Sequence, residues 1–390
     1  MASKPLHKRE EWLGCHTGPM PEDTAKSPDT AIPESQLPES AVLAAFDERD
    51  LDLVNALQIN PRASWTRIGE SLGMDATTAA RRWGQLTGSG LAWITAYAPE
   101  FATIAYLRLR CRAERLAEIS ERVTAMPWVF SVERVTGGFP LQLSVAVENL
   151  AALDDFTAGE LAALPGVEEI RTAVNQHVYV EGSHWRPQAL DPGQRTLLTE
   201  PRGPARPHRR APAHSRPRPG DAALVLALSA DGRRTIADLA RDTGLTETTV
   251  RRRISDMTSS GRLVFRCDFA EQAAGWNVTA NYWADLPASA IDTVGAALAS
   301  WPEIRLCAAT ADDSNVMLIG WLRGPREGVL LETRLQREFP QLRIIERQLT
   351  LRTLKRMGRI LSPRGRAVGY VPFDVWGRDP DRPLRQGRSR

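Results

Sequence analysis

At 390 residues the chain has room for two to four domains, and 42% hydrophobic residues is enough for ordinary cores. Nowhere do about 18 apolar residues run together, which argues against a membrane span, and residues 1–20 lack the apolar centre of a secretory leader. A net charge of only +3 does not by itself call for a polyanionic partner, and four scattered cysteines (Cys15, Cys111, Cys267, Cys307) without a CxxC argue for free thiols in a reducing cytoplasm.

Residues 1–44 are rich in Pro, Ser, Glu and Asp without periodicity, the composition of a disordered tail. From Asp47 to Asn60 apolar residues recur at helical spacing, and Pro61 ends the helix. Ser64 can cap a second helix with Trp65, Ile68 and Leu72 inward, and Gly73 supplies a left-handed closing residue. Asp75 then starts a third helix. Its Ala79, Trp83 and Leu86 form the apolar stripe, while Thr77, Thr78, Arg81 and Gln85 lie opposite and Arg82 flanks them. Two helices joined by a short Gly turn are the helix-turn-helix pattern, whose second helix enters the major groove. A β run, Leu91 to Tyr97, follows as a wing or a linking strand.

From Phe101 to Val180 the pattern reads βαββαβ, the ferredoxin-like order, with a turn at Thr136-Gly137-Gly138. Residues 183–219 are rich in Pro and Arg and read as a linker that could also touch phosphates. The plan then recurs. Thr235–Gly261 aligns with Ser64–Gly90 without a gap: Gly73 with Gly244, Thr77-Thr78 with Thr248-Thr249, Arg81-Arg82 with Arg252-Arg253. In the second copy Val250, Ile254 and Met257 face inward, and Thr248, Thr249 and Arg252 outward, with Arg251 and Arg253 at the flanks. A second βαββαβ unit follows, and Pro127 and Pro165 are spaced as Pro302 and Pro340 are. The expected domains are two helix-turn-helix heads (45–97 and 220–270), two ferredoxin-like units (98–182 and 271–361), and a basic tail at 362–390.

The order helix-turn-helix, β linker, βαββαβ resembles the Lrp/AsnC family of bacterial transcription regulators. The recognition-helix residues at 76–82 and 248–254, and Val135-Thr136-Gly137 before a strand, carry the likeness. The resemblance covers about residues 45–182 and again 220–361. It implies an α+β chain of two tandem copies, each a winged or helix-turn-helix domain followed by a RAM-type βαββαβ domain. It implies a cytoplasmic, non-enzymatic regulator with no cofactor. The expected partners are double-stranded DNA, an amino-acid effector, an intrachain pseudo-dimer of the RAM-type units, and further copies in a homo-oligomer. The DNA-binding residues so implied are Thr77, Thr78, Arg81, Arg82, Gln85, Thr248, Thr249, Arg251, Arg252 and Arg253. For the effector they are Thr136 and Gly137, with Asp312 and Asp313 where the second unit has lost the glycine. Gly84 should weaken the first recognition helix by roughly 1 kcal/mol relative to alanine.

Siroheme decarboxylases resemble the same two-domain plan. On that reading His177, beside Tyr179, would be the acid/base group, without a convergent second group.

Overall fold

The computed structural model describes residues 46–99, 102–187, 189–199, 218, 220–373 and 375. The tail expected at residues 1–44 and most of the arginine-rich stretch from 200 to 219 lie outside these.

Three helices build the first head: α1 (Glu48–Ile59), α2 (Trp65–Leu72) and α3 (Ala76–Gly88). Asp47 closes a capping box with Asp50 at the start of α1, Ser64 accepts from the Arg67 amide, and Gly73 takes the left-handed conformation (φ 61°) between α2 and α3. Asp75 stands at the start of α3 without a side-chain capping bond. Gly69 makes the tight turn possible, because a Cβ there would sit 2.4 Å from the Met74 carbonyl. Leu53, Leu57, Ile68, Ala79, Trp83 and Leu86 form the core.

After β1 (Ala92–Tyr97) comes the first βαββαβ unit: β2 (Thr103–Cys111), α4 (Leu116–Ala125), β3 (Val129–Val135), β4 (Leu141–Val147), α5 (Leu150–Asp154, continuing as a π-helical stretch Asp155–Leu161) and β5 (Val167–Val180). Helix α6 (Pro192–Leu198) precedes the second head, made of α7 (Asp221–Ala230), α8 (Ile236–Thr243) and α9 (Glu247–Ser259). Then come β6 (Val264–Phe269) and the second unit: β7 (Val278–Asp285), α10 (Ile291–Leu298), β8 (Ile304–Ala311), β9 (Val316–Leu322), α11 (Pro325–Glu338) and β10 (Arg343–Arg356). Two short strands, β11 (Arg359–Leu361) and β12 (Ala367–Tyr370), close the described chain.

The two units share one sheet. The first half of β5 pairs with β2 and its second half with β8, the change falling at Val174, which faces both Ala105 and Ala311. Strand β10 does the converse, pairing with β7 up to Leu349 and with β3 from Thr350. With the β3–β4–β2 and β8–β9–β7 pairings the ladder returns to its start, so eight strands close a barrel that leaves neither unit an open edge. Period-two alternation sorts the side chains. On β2, Leu107 and Leu109 face α4 and α5, while Tyr106 belongs to an interior group with Trp283, Ala308 and Met317.

The structure decides between wing and linking strand and corrects two expectations. The strand after each head is not a wing: β1 and β6 pair antiparallel with each other, Ala92 opposite Phe269 and Tyr97 opposite Val264. As a result each head's core includes the other's strand, Phe269 under the first head and Ala96 under the second. Part of the supposed linker is structural: Trp185 is buried among Phe269, Trp276 and Trp321, and Leu198 of α6 is buried against the first head. Within the expected tail, β12 pairs with β11, and the Ala367 amide donates to the Gly90 carbonyl.

Candidate functional site

The two recognition helices, α3 and α9, present matched surfaces. Thr77, Arg81, Gln85, Thr248, Arg251 and Arg252 are exposed, and Thr78 and Thr249 are half-buried near the helix starts. Arg81 donates to Gln85 at 3.5 Å, Arg251 to Glu247 at 3.3 Å, and Arg252 lies 3.9 Å from Asp256. Such exposed one-turn pairs are worth a few tenths of a kcal/mol, so phosphates can displace them.

Arg82 and Arg253 go elsewhere. Arg82 donates to Asp47 (2.9 Å) and Asp50 (2.8 Å) at the start of the first helix in its head. Arg253, its counterpart, donates at 2.8 Å to Asp221, whose side chain is 2% exposed. One arginine of each Arg-Arg pair therefore ties the reading helix to its own head, and the other is left outward. The spacing explains why: the second arginine lies a quarter-turn further round, towards the apolar stripe and the first helix.

A second matched pair locks the heads together. Arg62 donates to the Gly232 (2.6 Å) and Arg234 (3.1 Å) carbonyls of the second head. Arg233, at the corresponding place, donates to the Pro61 (2.8 Å) and Ala63 (2.9 Å) carbonyls of the first and stacks on Trp65 at 4.0 Å. Burial pushes the Arg233 pKa down to about 10, still charged at neutral pH. The sequence held this signal, since both arginines stand two residues before a helix cap.

The expected effector residues meet around a side chain that sequence reasoning missed. Arg108, 2% exposed, donates to Asp312 (2.7 Å) and Glu346 (2.6 Å), with its guanidinium 4.1 Å from the centre of the Trp283 ring. Thr136 exchanges two bonds with Leu349, and Gly137 lies against Glu346 and Gln348. Asp313 is exposed, 3.7 Å from Arg171. Asp312, one of the expected effector residues, thus already holds a cation of this chain. Arg108 was overlooked because a charged residue in an alternating strand reads as the outer face, whereas here that face lines a closed barrel.

Under the β1–β6 ribbon, at one mouth of the barrel, lies a cavity of about 310 Å³. Its walls are chiefly apolar, Ile104, Tyr106, Phe130, Leu306 and Ile319 among them, with a cluster of buried charges at its edge. Arg356 grips Glu271 with two bonds (2.6 and 2.7 Å); Arg266 and Arg305 share Asp268; Tyr97 donates to Glu181 at 2.7 Å. Burial would raise the Glu181 carboxyl, but hydrogen bonds from His184, Ser183 and Tyr97 and the charge of Arg266 hold it well below the usual range. At Glu133 burial outweighs the charges of Arg356 and Arg266 and pushes the carboxyl up to about 7. Arg305 is pushed down to about 9, first by burial and then by Arg266. His177 is not in this cavity; it is exposed on the barrel, its ring 4.6 Å from that of Tyr179. His184, from the expected linker, lines the cavity instead.

Two heads with exposed Thr/Arg helices, held on a barrel of two βαββαβ units, define a helix-turn-helix protein with a RAM-type body. Comparison with known proteins agrees. The AsnC-type helix-turn-helix domain matches residues 46–87 and 220–258, and the Lrp/AsnC ligand binding domain matches residues 104–184. The Bkd operon transcriptional regulator of Pseudomonas aeruginosa is 29% identical over 144 residues, 34% of this chain and 91% of that protein. The leucine-responsive regulatory protein of Rhizobium meliloti is 26% identical over 139 residues, 34% of this chain and 89% of its own. Both heads and the first βαββαβ unit are thus domains of the Lrp/AsnC type, and the similar proteins are transcriptional regulators of that type. The siroheme decarboxylase NirDL shares the fold, with a TM-score of 0.53 at 14% identity over 85% of this chain and 97% of that one. No helix among the described residues is long and apolar enough to cross a membrane.

Proposed function

We propose that this chain is a sequence-specific DNA-binding regulator that carries two unlike reading heads as one covalent unit, the two halves having arisen by tandem duplication. The observation that carries it is the division of labour on α3 and α9: each ties one arginine to its own head and leaves one threonine and the neighbouring arginine exposed. Exposed Thr and Arg at a recognition helix can bond phosphates, and Arg can bond a guanine edge. The barrel supplies within one chain the pairing that single-unit relatives would obtain by dimerising, and assembly with further copies is left to its outer surface. The heads differ, Gln85 against Asp256 and Ala80 against Arg251, so the operator should have unlike half-sites about one helical turn, or a multiple, apart. At the turn around Asp312, Arg108 takes the place of an effector's cation.

Mobility-shift titrations at several salt concentrations test this. Arg252→Ala should weaken binding and reduce the slope of log affinity against log salt by about 1, while Arg82→Ala should leave the slope unchanged. Equal slopes for wild type and Arg252→Ala would remove the role assigned to Arg252.

The NirDL likeness supplies a fold and no chemistry. Siroheme is a large polyacid, whereas the cavity is near the lower end of the range of about 300–1,000 Å³ typical of ligand pockets, and each of its three arginines already has an acidic partner. Non-enzymatic regulation is therefore the reading adopted, and an absorbance titration with siroheme should show no shift of its Soret band.

A further inference from the structure

The cavity under the ribbon lies at the opposite face of the interior group from Arg108, and the DNA reading gives it no task. It is roofed by β1 and β6 residues and floored by Tyr106 and its neighbours inside the barrel. Besides Nε of Arg266, which lies 2.8 Å from Asp268, three polar atoms at its edge are buried without a hydrogen-bond partner among the described residues: Nη1 of Arg305, Oε2 of Glu133 and Oδ1 of Asn281. A buried donor or acceptor left unmade costs about 1–3 kcal/mol, more when charged, so a native protein retains such groups where something fills them.

Arg305 is the sharpest of the three. It is 5% exposed and packs its guanidinium 3.6 Å from the centre of the Trp321 ring. Its one acidic ion-pair partner among the described residues, Asp268, is shared with Arg266. Gly182 makes room for this pair of guanidiniums, since a Cβ there would lie 2.4 Å from Arg266 and 2.7 Å from Arg305. The charges count as follows. Arg266, Arg305 and Arg356 are ion-paired with Asp268, Glu271 and Glu181, three against three. With Glu133 protonated, which its burial favours, the cluster is balanced, yet Arg305 still has an open donor. An anion at Arg305 would satisfy that donor and would itself favour the protonated Glu133, whose O–H can donate to a second ligand oxygen. A cationic ligand brings no acceptor for the open Nη1 of Arg305.

We propose that this cavity binds a compact monocarboxylic acid with an apolar body, its carboxylate on Nη1 of Arg305 and its body against Ile104, Tyr106, Leu306 and Ile319. The site is distinct from the turn around Asp312, and the proposal does not depend on DNA binding.

Isothermal titration calorimetry on the full chain without DNA tests it, using phenylacetate, its uncharged isostere phenylacetamide and the cation phenethylamine. Phenylacetate should bind saturably, once per chain, with the other two weaker by about tenfold or more, the value of one charge-assisted hydrogen bond. Arg305→Met should abolish the preference for the carboxylate. Because that change could also unsettle the buried cluster, Ser144→Leu, which fills the cavity from a strand facing it, provides a second variant. It should melt cooperatively and lose phenylacetate binding. Absence of saturable binding, equal affinity for phenylacetamide or phenethylamine, or unchanged phenylacetate binding by the folded Ser144→Leu variant would overturn the proposal.

Discussion

Arg81 and Arg82 are neighbours of one residue type with different work. Arg82→Ala removes two partly exposed ion pairs and should destabilise the first head by about 1 kcal/mol. Arg253→Ala strands the buried Asp221 carboxylate and should cost more, roughly 3 kcal/mol; urea unfolding of the two variants checks the order. Gly84 is exposed on α3, and a Cβ there would meet nothing within 4 Å. Gly84→Ala should therefore raise stability by about 0.5–1 kcal/mol, read as an increase in Tm. Two buried titratable groups set opposite pH slopes. Glu133 titrates near 7 in the folded chain, above its ordinary value of 4.5, so its contribution is full below 4.5 and is lost as pH rises through 7. Lys355 is fully buried, its ammonium donating to the Met126 carbonyl, and burial lowers it to about 7 from 10.5. Its contribution is full above 10.5 and is lost as pH falls towards 7. Glu133→Gln should flatten the acid-side slope of stability against pH and Lys355→Met the alkaline-side slope; a variant that leaves its own slope intact would show its group is not the source. Which residues would be exposed on the heads was legible in the helical period. The fates of Arg82, Arg253 and Arg108 were not, because each depends on an acidic partner far along the chain.

Among the elements, the heads were the most legible, since caps, glycine turns and apolar stripes are local signals repeated in register. The second helix of the first unit begins as α-helix and widens into a π-helical stretch at Asp155–Leu161, which lets both Phe156 and Leu161 reach the core. Helix α6 and Trp185 were hidden because a lone tryptophan and one short turn inside a Pro-rich run show no period. The exchange of β1 and β6 between heads was equally hidden: strand pairing across about 170 residues leaves no local trace. The reciprocal clamps of Arg62 and Arg233 make a prediction at this scale. Each makes two charge-assisted bonds to carbonyls of the other head, so either alanine variant should cost roughly 2–3 kcal/mol. The double variant should also lose the fixed spacing between heads, seen as tolerance of operators with altered half-site separation in mobility shifts.

For the whole molecule, barrel closure turns two similar units into unlike partners. Arg108 of one unit faces Trp283 of the other, the two standing at corresponding positions by the spacing of Pro127 and Pro302. Such a pair attracts across the barrel, whereas two copies of the first unit would set Arg108 against Arg108. Trp283→Arg should accordingly destabilise the chain by several kcal/mol, in line with a buried, unpaired charge. The central claim is that two outward helices on this closed body read DNA together. Hydroxyl-radical footprinting on a bound promoter tests it most directly. The account predicts two protected patches, about one helical turn or a multiple apart, with Arg81→Ala clearing one and Arg252→Ala the other. A single patch that neither variant clears, or a symmetric footprint unchanged when one head is disabled, would contradict it.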